Sequence, residues 1–393
     1  MIKEIDYDII IVGGGPAGTT SAYYSALNGA KVILFERHLC IGNPVRCAEG
    51  VSRRGLEEFF NPDELQGINR VNKLQIFAPS GAFVTIKTDE VGYIINRKVF
   101  DFNLAKRASE KGVKIITRAN VIDLINRNGK IEGVKVVHLG KEYDIYGKII
   151  IGADGIESRV GKLSGLRKSF KLDEIDSCVQ ATIYSKEIDN DICRVYFGHN
   201  IAPGGYAWIF PRGDNTANAG LGISGVASKK QAPVDYLRKF LERSFSEYSV
   251  LAIIGGGVPC AKVLKELVID NVILVGDAAH QTNPLTGGGI INAMRAGKIA
   301  GEIAATAIKE NDCSEKFLRK YETEWKKLYG NRHSALYRLK KSVYSISDDV
   351  LNRIAYSMNR LSEEERTLAN TFKIALKEKP KLVLDALKIF SGV

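Results

Sequence analysis

The chain has 393 residues and a formal net charge of +11 at pH 7; 45% of its residues are hydrophobic and 26% are charged. These proportions are ordinary for a globular protein and exclude a collagen-like fibre, long disorder and a disulfide scaffold. No run approaches ~18 apolar residues, so no transmembrane helix is predicted. The six cysteines show neither a Cys-x-x-Cys pair nor zinc-like spacing with histidine, so we expect reduced thiols and no metal site.

A strand, a glycine-rich turn, a helix and a second strand are predicted in residues 6–37. Residues 8–12 form a short apolar run typical of a strand buried on both faces. The turn Gly-Gly-Gly-Pro-Ala-Gly occupies 13–18, and the predicted helix runs from Thr19 to Leu27. In such a unit the helix N-terminus faces the phosphates of a dinucleotide.

Each glycine of this G-x-G-x-x-G pattern has its own task. Gly13 permits the tight turn, Gly15 lets the backbone approach a pyrophosphate, and Gly18 lets helix and strand pack closely. Glu36 ends the second predicted strand, Lys31–Glu36, and is placed to accept a hydrogen bond from a ribose hydroxyl. An acidic residue at this position disfavours the 2′-phosphate of NADP, so NAD and FAD remain as candidate cofactors.

Two further strand-to-helix turns follow along the chain. The first is Gly-Ala-Asp-Gly at 152–155, and the second is Gly276-Asp277 after the apolar run 272–275. Open α/β sheets bind ligands at such turns, where Asp277 can hold a sugar-like polyol. The glycine-rich helix start at 287–290 can face a negative group. A helix-capping role is the alternative for Asp277.

These three motifs, in this order and spacing, resemble the FAD-binding domain of glutathione-reductase-type and aromatic-hydroxylase-type flavoproteins. The resemblance implies FAD, with Asp277 on the ribityl chain, the glycines after it beside the flavin ring, and Val121 near the adenine. It also implies a cofactor contact for Arg97, for which a surface ion pair is the alternative. The cofactor-binding residues predicted in these motifs are Gly13, Gly15, Ala17, Gly18, Glu36, Arg97, Val121, Asp277, Gly288, Gly289 and Ile290.

The electrons must come from a transiently bound donor. No second strand–G-x-G-x-x-G–helix unit exists, so the nicotinamide domain of disulfide reductases is missing. Their Cys-x4-Cys pair is missing too, since six residues separate Cys40 from Cys47. We therefore expect NAD(P)H, ferredoxin or another reduced carrier as an external partner.

Alternating strands are predicted between Lys171 and Ser224. The pattern indicates an antiparallel meander with turns at 189–191 and 213–214, typical of a substrate domain. Within it Tyr206, Trp208 and Phe210 alternate, so on a strand all three share one face and form a wide apolar wall. An ordinary sheet core is the alternative.

This segment resembles the signature of geranylgeranyl reductases, which saturate prenyl chains. The match P-x-x-Y-x-W-x-F-P lies at 203–211, a P-x-x-C-x-E-G segment at 44–50, and a G-G-x-x-P run at 255–259. The similarity covers 6–310 and is greatest to archaeal-type digeranylgeranylglycerophospholipid reductases. It implies that Cys47, Ala48 and Gly50 lie next to the flavin, and that the substrate is a prenyl lipid bound by Tyr206, Trp208 and Phe210.

The implied reaction requires an acid. An isolated C=C bond is a poor hydride acceptor, so protonation must accompany hydride transfer. Cys47 is our candidate for the proton donor, because a thiol in apolar surroundings stays protonated near neutral pH. An inert thiol with a backbone-only cofactor contact is the alternative. Tyr206 is the reserve donor, and His280 is interpreted as structural.

The C-terminal region, 306–393, is predicted to be helical and carries +6 of the net charge. Apolar residues recur at helical spacing at Phe372, Ala375 and Leu376, and again between Val383 and Phe390. We expect a cap over the substrate domain; a basic face toward a lipid phosphate or membrane is the sharper alternative. No nucleic-acid motif accompanies the charge.

The N-terminus lacks the basic-then-apolar layout of a signal peptide. We therefore expect a cytoplasmic protein, and a peripheral position at the inner face of the cell membrane stays open.

The predicted fold is α/β (α+β overall): a Rossmann-type FAD-binding domain, an antiparallel β-sheet substrate domain and a C-terminal helical region. We assign 1–50, 95–168 and 260–310 to the first domain, 51–94 and 169–259 to the second, and 311–393 to the helical region.

Two functional alternatives to the reductase remain. One is an FAD monooxygenase or halogenase acting on an aromatic substrate. The other is a non-catalytic prenyl-binding or electron-transfer flavoprotein.

Overall fold

The computed structural model describes residues 6–168 and 170–378, without the side chains of 87–91. These residues form two compact units. The first unit comprises 6–45, 97–170 and 259–333, and the second comprises 46–96, 171–258 and 334–378.

The described strands are numbered in chain order: β1 (Tyr7–Val12), β2 (Val32–Phe35), β3 (Gly50–Ser52), β4 (Ile68–Phe77), β5 (Phe83–Ile95), β6 (Lys114–Ile116), β7 (Ala119–Arg127), β8 (Lys130–His138), β9 (Lys141–Gly152), β10 (Asp176–Tyr184), β11 (Ile192–Tyr196), β12 (Tyr206–Gly213), β13 (Thr216–Ser224), β14 (Ser249–Val258), β15 (Val268–Ile269) and β16 (Val272–Leu274).

The described α-helices are α1 (Pro16–Leu27), α2 (Arg53–Glu57), α3 (Arg97–Glu110), α4 (Arg159–Leu163), α5 (Pro233–Ser244), α6 (Ile290–Lys309), α7 (Glu315–Leu318), α8 (Lys320–Trp325), α9 (Asn331–Val343), α10 (Asp348–Asn359) and α11 (Leu368–Glu378). Among these helices, none is long and apolar enough to cross a membrane.

The first unit is built on a sheet in the order β15-β16-β9-β1-β2-β6. From β16 to β6 neighbouring strands are parallel, and β7 and β8 extend from β9 as an antiparallel ribbon. The central strands are continuous apolar runs, as burial on both faces requires. Ile9 to Ile11 and Ile149 to Ile151 are fully buried there.

Helices α1 and α6 pack at close range because both present small residues. A Cβ atom on Gly297 would lie 2.5 Å from the carbonyl oxygen of Ala17, and one on Gly301 would lie 2.5 Å from that of Ser21. The Gly-x-x-x-Gly spacing puts both glycines on one face of α6. The start of α1 is thereby fixed against the helix that follows Asp277.

The second unit contains one eight-stranded sheet in the order β14-β10-β13-β12-β11-β4-β5-β3. One face packs on α5 through a core that includes Leu237, Phe240 and Leu241. The strand residues that point to this side are Ala181, Ala207, Ile209, Ala219 and Leu221. Alternation along each strand leaves the intervening residues on the opposite face.

The predicted meander is only partly correct. Strands β12 and β13 form the hairpin expected at 213–214. The chain from β10 to β11 is not a hairpin, because β10 pairs with β13 and β14 while β11 pairs with β12 and β4. The nine-residue β10 is matched along its length by two long strands, whereas β11 has five residues. Strand length therefore favours the non-local partners.

The region predicted as one C-terminal helical segment is divided between the two units. Residues 311–333 cluster with the first unit and 334–378 with the second. Helix α10 packs on β5, where Ile354, Ala355 and Met358 contact Val84 and Ile86. The apolar positions expected between Val383 and Phe390 lie outside the described residues.

Candidate active site

The three glycine-containing turns meet at one edge of the first sheet. The parallel strands end in register, because Gly152 pairs with both Val12 and Leu274. The residues that follow each strand therefore emerge side by side, and carboxyl ends of parallel strands are where open α/β sheets bind ligands.

The three glycines of the first turn differ in their surroundings. A Cβ atom on Gly13 would lie 2.3 Å from the carbonyl oxygen of Ala153, and Gly13 has a φ of +107°. A Cβ atom on Gly18 would lie 1.9 Å from the carbonyl oxygen of Gly13. At Gly15 a Cβ atom would meet nothing within 4 Å. Gly13 and Gly18 are therefore required by packing, while Gly15 borders open space.

Glu36 ties the glycine turn to the end of β2. Its Oε2 accepts a hydrogen bond from the backbone N–H of Gly14 at 2.8 Å, and its Oε1 accepts one from the N–H of His38 at 2.8 Å. The imidazole of His38 lies 2.6 Å from the same Oε1. The ribose contact predicted for Glu36 remains a prediction.

Asp277 lies beside the starts of α1 and α6. The hydroxyl of Thr282 donates to Oδ1 of Asp277 at 2.5 Å, and a Cβ atom on Gly289 would lie 3.4 Å from the same oxygen. Desolvation raises the pKa of Asp277, and the Thr282 hydrogen bond and the charge of Arg97 oppose that rise. Its neighbour Gly276 has a φ of +66°, and a Cβ atom there would lie 3.0 Å from that of Ala17.

The start of α6 is a glycine-rich turn without a side-chain cap. Gly289 is the capping residue, and the N–H of Gly288 bonds the hydroxyl of Thr286 at 3.3 Å. Ile290 is buried as the first residue of the helix. The N-terminal N–H groups of a twenty-residue helix can bind a negatively polarised group.

Arg97 and Val121 both have protein partners. The guanidinium of Arg97 donates to both carboxylate oxygens of Asp101, at 2.7 and 2.6 Å, and this pair is largely buried. The ion pair considered from the sequence is therefore present, but it is not a surface pair. The carbonyl oxygen of Val121 accepts a hydrogen bond from Arg159 at 3.2 Å. The cofactor contacts of Arg97 and Val121 stay predictions.

Several polar groups are buried close together in the first unit, and their contacts were not predicted from the sequence. Oδ2 of Asp154 accepts from the N–H of Val160 at 2.8 Å, whereas Oδ1 is buried without a hydrogen-bond partner among the described residues. Phe170 stacks on His280 with ring centroids 4.9 Å apart, and the Arg167 guanidinium lies 3.5 Å from the Phe170 centroid. Asp154, the acidic residue of the Gly-Ala-Asp-Gly turn, is the sequence feature from which this cluster could have been predicted.

Burial also sets the protonation of His280. Desolvation, followed by the positive charge of Arg167, lowers the pKa of His280 to about 4. Its Nε2 is buried and has no hydrogen-bond partner among the described residues. The imidazole is therefore neutral near pH 7.

These residues fit FAD. Gly15 borders open space at the uncapped N-terminus of α1, which suits a pyrophosphate. The buried Oδ1 of Asp154 offers an unused acceptor, and Asp277 offers a carboxylate at the neighbouring strand end. Backbone amides, an acceptor and a carboxylate are the groups that a dinucleotide with a polyol chain requires.

In the second unit Tyr206, Trp208 and Phe210 share one face, as predicted. Ring centroids are 5.7 Å apart for Tyr206 and Trp208 and 6.3 Å apart for Trp208 and Phe210. We call this side of the sheet, opposite α5, the aromatic face. The neighbouring strand β13 places Gly222, Gly220 and Asn218 directly beside the three rings. The absence of a side chain at Gly220 and Gly222 lets other side chains lie directly against the backbone of β13.

Trp208 contacts Gly220 of β13 and also a polar residue. A Cβ atom on Gly220 would lie 2.6 Å from Cζ2 of Trp208, so the indole covers the glycine. The indole N–H donates to Oε1 of Gln180 at 3.1 Å. The amide N–H of Gln180 in turn donates to the carbonyl oxygen of Cys47 at 3.1 Å.

The residues after Cys47 are held on the aromatic face as well. The amide N–H of Asn218 donates to the carbonyl oxygen of Ala48 at 3.3 Å and to Oε2 of Glu49 at 2.7 Å. Arg212 lies 2.8 Å from the same Oε2. Glu49 is 1% exposed and has a φ of +71°. A Cβ atom on Gly50 would lie 3.3 Å from the ring of Phe210.

The structure thus brings together six predicted residues of the second unit: Cys47, Ala48, Gly50, Tyr206, Trp208 and Phe210. The sequence analysis missed Gln180, Asn218, Glu49 and Arg212, which hold them. It also missed Cys178, next to Gly222 on the same face. Burial, followed by the charge of Asp176, raises the pKa of the Cys178 thiol to about 12.

Curated relatives align with nearly the whole chain. A digeranylgeranylglycerophospholipid reductase from Methanococcoides burtonii is 39% identical, covering 98% of this chain and 96% of the relative. The corresponding enzyme from Methanothrix thermoacetophila is 38% identical over 96% of this chain and 98% of its own. The chain belongs to the digeranylgeranylglycerophospholipid reductase family.

Domain profiles and solved structures agree with this family. The geranylgeranyl reductase catalytic domain matches residues 174–258, and the pyridine nucleotide-disulphide oxidoreductase domain matches 7–195. A geranylgeranyl bacteriochlorophyll reductase-like protein from Thermoplasma acidophilum has a TM-score of 0.90 at 31% identity, covering 98% of this chain and 99% of its own. The predicted fold class, the oxidoreductase class and FAD as cofactor are confirmed.

More distant structures share only the fold. A triple mutant of the flavin-dependent brominase Bmp2 has a TM-score of 0.75 at 17% identity, covering 98% of this chain and 99% of its own. This likeness explains why a halogenase was an alternative. It does not favour that activity here.

Proposed function

We propose that this flavoprotein hydrogenates C=C bonds in the geranylgeranyl chains of digeranylgeranylglycerophospholipids, as part of archaeal-type membrane lipid biosynthesis. The observation that carries the proposal is the aromatic face, on which the Cys47 segment is held beside Trp208 and Phe210. A flat apolar surface next to an acid is what an unactivated alkene requires. The family assignment supports the same substrate class.

The protein residues divide the reaction into binding, orientation and proton transfer. Tyr206, Trp208 and Phe210 hold the prenyl chain flat and exclude water from it. A bound reduced flavin supplies the hydride. Cys47 donates the thiol proton to the other alkene carbon, and the thiolate that forms takes a proton back from solvent. Two electrons and two protons are thereby added to each double bond.

The cofactor is held by the first unit in this proposal. The N–H groups at the start of α1 bind the pyrophosphate next to Gly15, Glu36 binds the ribose, and Asp277 binds the ribityl chain. Arg97, Val121 and the turn Gly288–Ile290 are further cofactor contacts in this proposal, as are Cys47, Ala48 and Gly50.

Two further parts of the proposal concern partners. An external carrier, ferredoxin or NAD(P)H, reduces the flavin between turnovers. The protein works at the inner face of the cell membrane as a peripheral protein, because its substrate class is a membrane lipid and its net charge of +11 favours anionic surfaces.

Anaerobic single turnover tests the function. The FAD-loaded protein is reduced with dithionite and mixed with a geranylgeranyl phospholipid, and the lipid is then analysed by mass spectrometry. We expect the flavin to reoxidise and the lipid to gain two hydrogens per double bond. A lipid with saturated chains is the control and should leave the flavin reduced.

Two results contradict the proposal. A lipid that gains oxygen after aeration indicates a monooxygenase. A flavin that is reduced normally while the lipid stays unchanged indicates a non-catalytic flavoprotein.

A further inference from the structure

The segment that carries Cys47 has no strand or helix of its own. Residues 44–49 lie before β3, and the structure assigns them neither state. Three successive carbonyl oxygens of this segment nevertheless accept hydrogen bonds from three different strands. Cys47 accepts from Gln180 on β10, Ala48 from Asn218 on β13, and Glu49 from the N–H of Ile95 on β5.

The first two of these bonds come from side-chain amides whose orientation is fixed at the other end. An indole N–H only donates, so Gln180 must present its oxygen to Trp208 and its NH2 group to Cys47. Asn218 is oriented in the same way, because its Oδ1 accepts a hydrogen bond from the guanidinium of Arg212 at 3.4 Å, and a guanidinium only donates.

We propose that Gln180, oriented by Trp208, is a positioning residue that fixes the Cys47 backbone. Together with the N–H of Glu49, which donates to Cys47 Sγ at 3.2 Å, it thereby fixes the direction of the thiol. The inference rests on the proposed function, since it assigns a task to the proton donor. It gives Trp208 a second role besides apolar contact: its N–H determines which way the Gln180 amide points. Asn218 supports the next peptide in the same manner.

The proposal distinguishes three substitutions. Gln180→Glu keeps the size of the side chain and an acceptor for the indole, but has no donor for the Cys47 carbonyl. Gln180→Met removes both bonds. Trp208→Phe keeps an aromatic ring on the face and removes the indole N–H, together with the part of the indole that covers Gly220. Each should release the Cys47 segment without deleting the thiol.

Thiol labelling measures this release independently of catalysis. The FAD-loaded protein is treated briefly with N-ethylmaleimide and digested with trypsin. Cleavage after Arg46 places Cys47 in the peptide 47–53 and the exposed Cys40 in the peptide 38–46, so Cys40 is an internal standard. The labelling rate of Cys47 relative to Cys40 is expected to rise at least about fivefold in all three variants.

A matched control uses the other side of the same sheet. Tyr196 stacks against Phe77 and Phe240 on the side of α5. Tyr196→Phe removes one polar atom from an aromatic residue of the neighbouring strand and should leave the Cys47-to-Cys40 ratio unchanged.

Coupling between Gln180 and Trp208 is the second measurement. Single-turnover reoxidation by prenyl lipid should slow about 10- to 100-fold in Gln180→Met, the range for a group misplaced by ~1 Å. The double variant Trp208→Phe, Gln180→Met should have the same Cys47 labelling ratio as Gln180→Met alone, because both substitutions act through the side-chain amide of Gln180.

The Cys47 labelling ratio tests the positioning role of Gln180, whereas the reduction of prenyl lipid tests the proposed function. Labelling ratios that stay at the wild-type value in Gln180→Glu and Trp208→Phe overturn the inference, whatever the activity. Raised ratios in a protein that never reduces prenyl lipid support the positioning role of Gln180 and refute the function. If Gln180→Met fails to fold, the labelling ratios of Trp208→Phe and Gln180→Glu test the positioning role of Gln180.

Discussion

Gly18 packs so closely on the carbonyl oxygen of Gly13 that a Cβ atom on Gly18 would lie 1.9 Å from it. Three residues earlier, a Cβ atom on Gly15 would meet nothing within 4 Å. The two glycines of one motif therefore differ: Gly18 is required by packing, whereas the cofactor contact of Gly15 stays a prediction.

Gly18→Ala and Gly15→Val should fail in different ways. Gly18→Ala should lower the stability of the FAD-free protein by about 1–3 kcal/mol through overpacking, measured by thermal unfolding. Gly15→Val should fold normally without FAD but lose FAD binding, because its side chain occupies the pyrophosphate position. Full flavin occupancy in Gly15→Val would show that the phosphate site is misplaced.

Asp277→Ala should weaken FAD binding about 10- to 150-fold, corresponding to about 1.5–3 kcal/mol for a hydrogen bond to a charged group. Titration of the FAD-free protein with FAD, followed by fluorescence quenching, gives the affinity. Asp277→Asn keeps the shape and one acceptor oxygen, so its loss should be smaller. If Asp277→Ala binds FAD as tightly as wild type, the carboxylate serves only the turn that it shares with Thr282.

His280 should make the stability of the protein depend on pH. Its pKa is lowered from 6.5 to about 4, so between these values the unfolded chain binds a proton that the folded protein does not. Stability should therefore fall as the pH is lowered from about 6.5 to about 4, by about 3 kcal/mol from this residue. Burial is the main cause of this lowered pKa, and the charges of Arg167 and His333 contribute to it.

His280→Asn should remove most of this dependence, since asparagine tolerates the left-handed backbone at a φ of +58°. The measurement is the melting temperature of wild type and variant between pH 7 and pH 4. His138→Asn, at a partly buried site, is the control and should follow wild type. If the melting temperatures of wild type and His280→Asn fell in parallel as the pH is lowered, the lowered pKa of His280 would be contradicted.

The nucleotide-binding part of the fold was predictable because its signals are local. The strand, glycine turn and helix of 7–27 follow from a short apolar run and small residues at fixed spacing. The close contact between α1 and α6 had a signal too, in Gly297 and Gly301 four residues apart, but spacing alone does not name the partner helix.

The polar contacts of the aromatic face were not predictable in this way. Gln180 and Cys47 are 133 residues apart, and Asn218 and Glu49 are 169 residues apart. Strand alternation shows which side Gln180 faces, but not which loop lies there. The same limit explains why the predicted pairing of β10 with β11 was wrong. Strand partners depend on strand length and packing, and not on order along the chain.

Trp208→Ala should leave the flavin spectrum intact and reduce prenyl-lipid turnover about 10- to 100-fold. The indole covers Gly220 and orients Gln180, so its loss uncovers Gly220 and releases the Cys47 segment. Visible absorbance gives flavin content, and mass spectrometry of the lipid gives turnover. Loss of FAD together with activity would instead assign Trp208 to the core of the second unit.

Cys47→Ala addresses the proton donor directly. An isolated alkene carries no carbonyl to accept charge, so hydride transfer without a proton source should be slow. The variant should bind FAD and be reduced by dithionite like wild type, yet transfer electrons to the lipid about 10²- to 10⁴-fold more slowly, the range for removal of a general acid. Cys313→Ala, which alters a cysteine of the first unit, is the matched control and should retain the wild-type rate. The measurement is reoxidation of the reduced flavin by substrate without oxygen. A wild-type rate in Cys47→Ala would remove this thiol from the mechanism and make Tyr206→Phe the next variant to test.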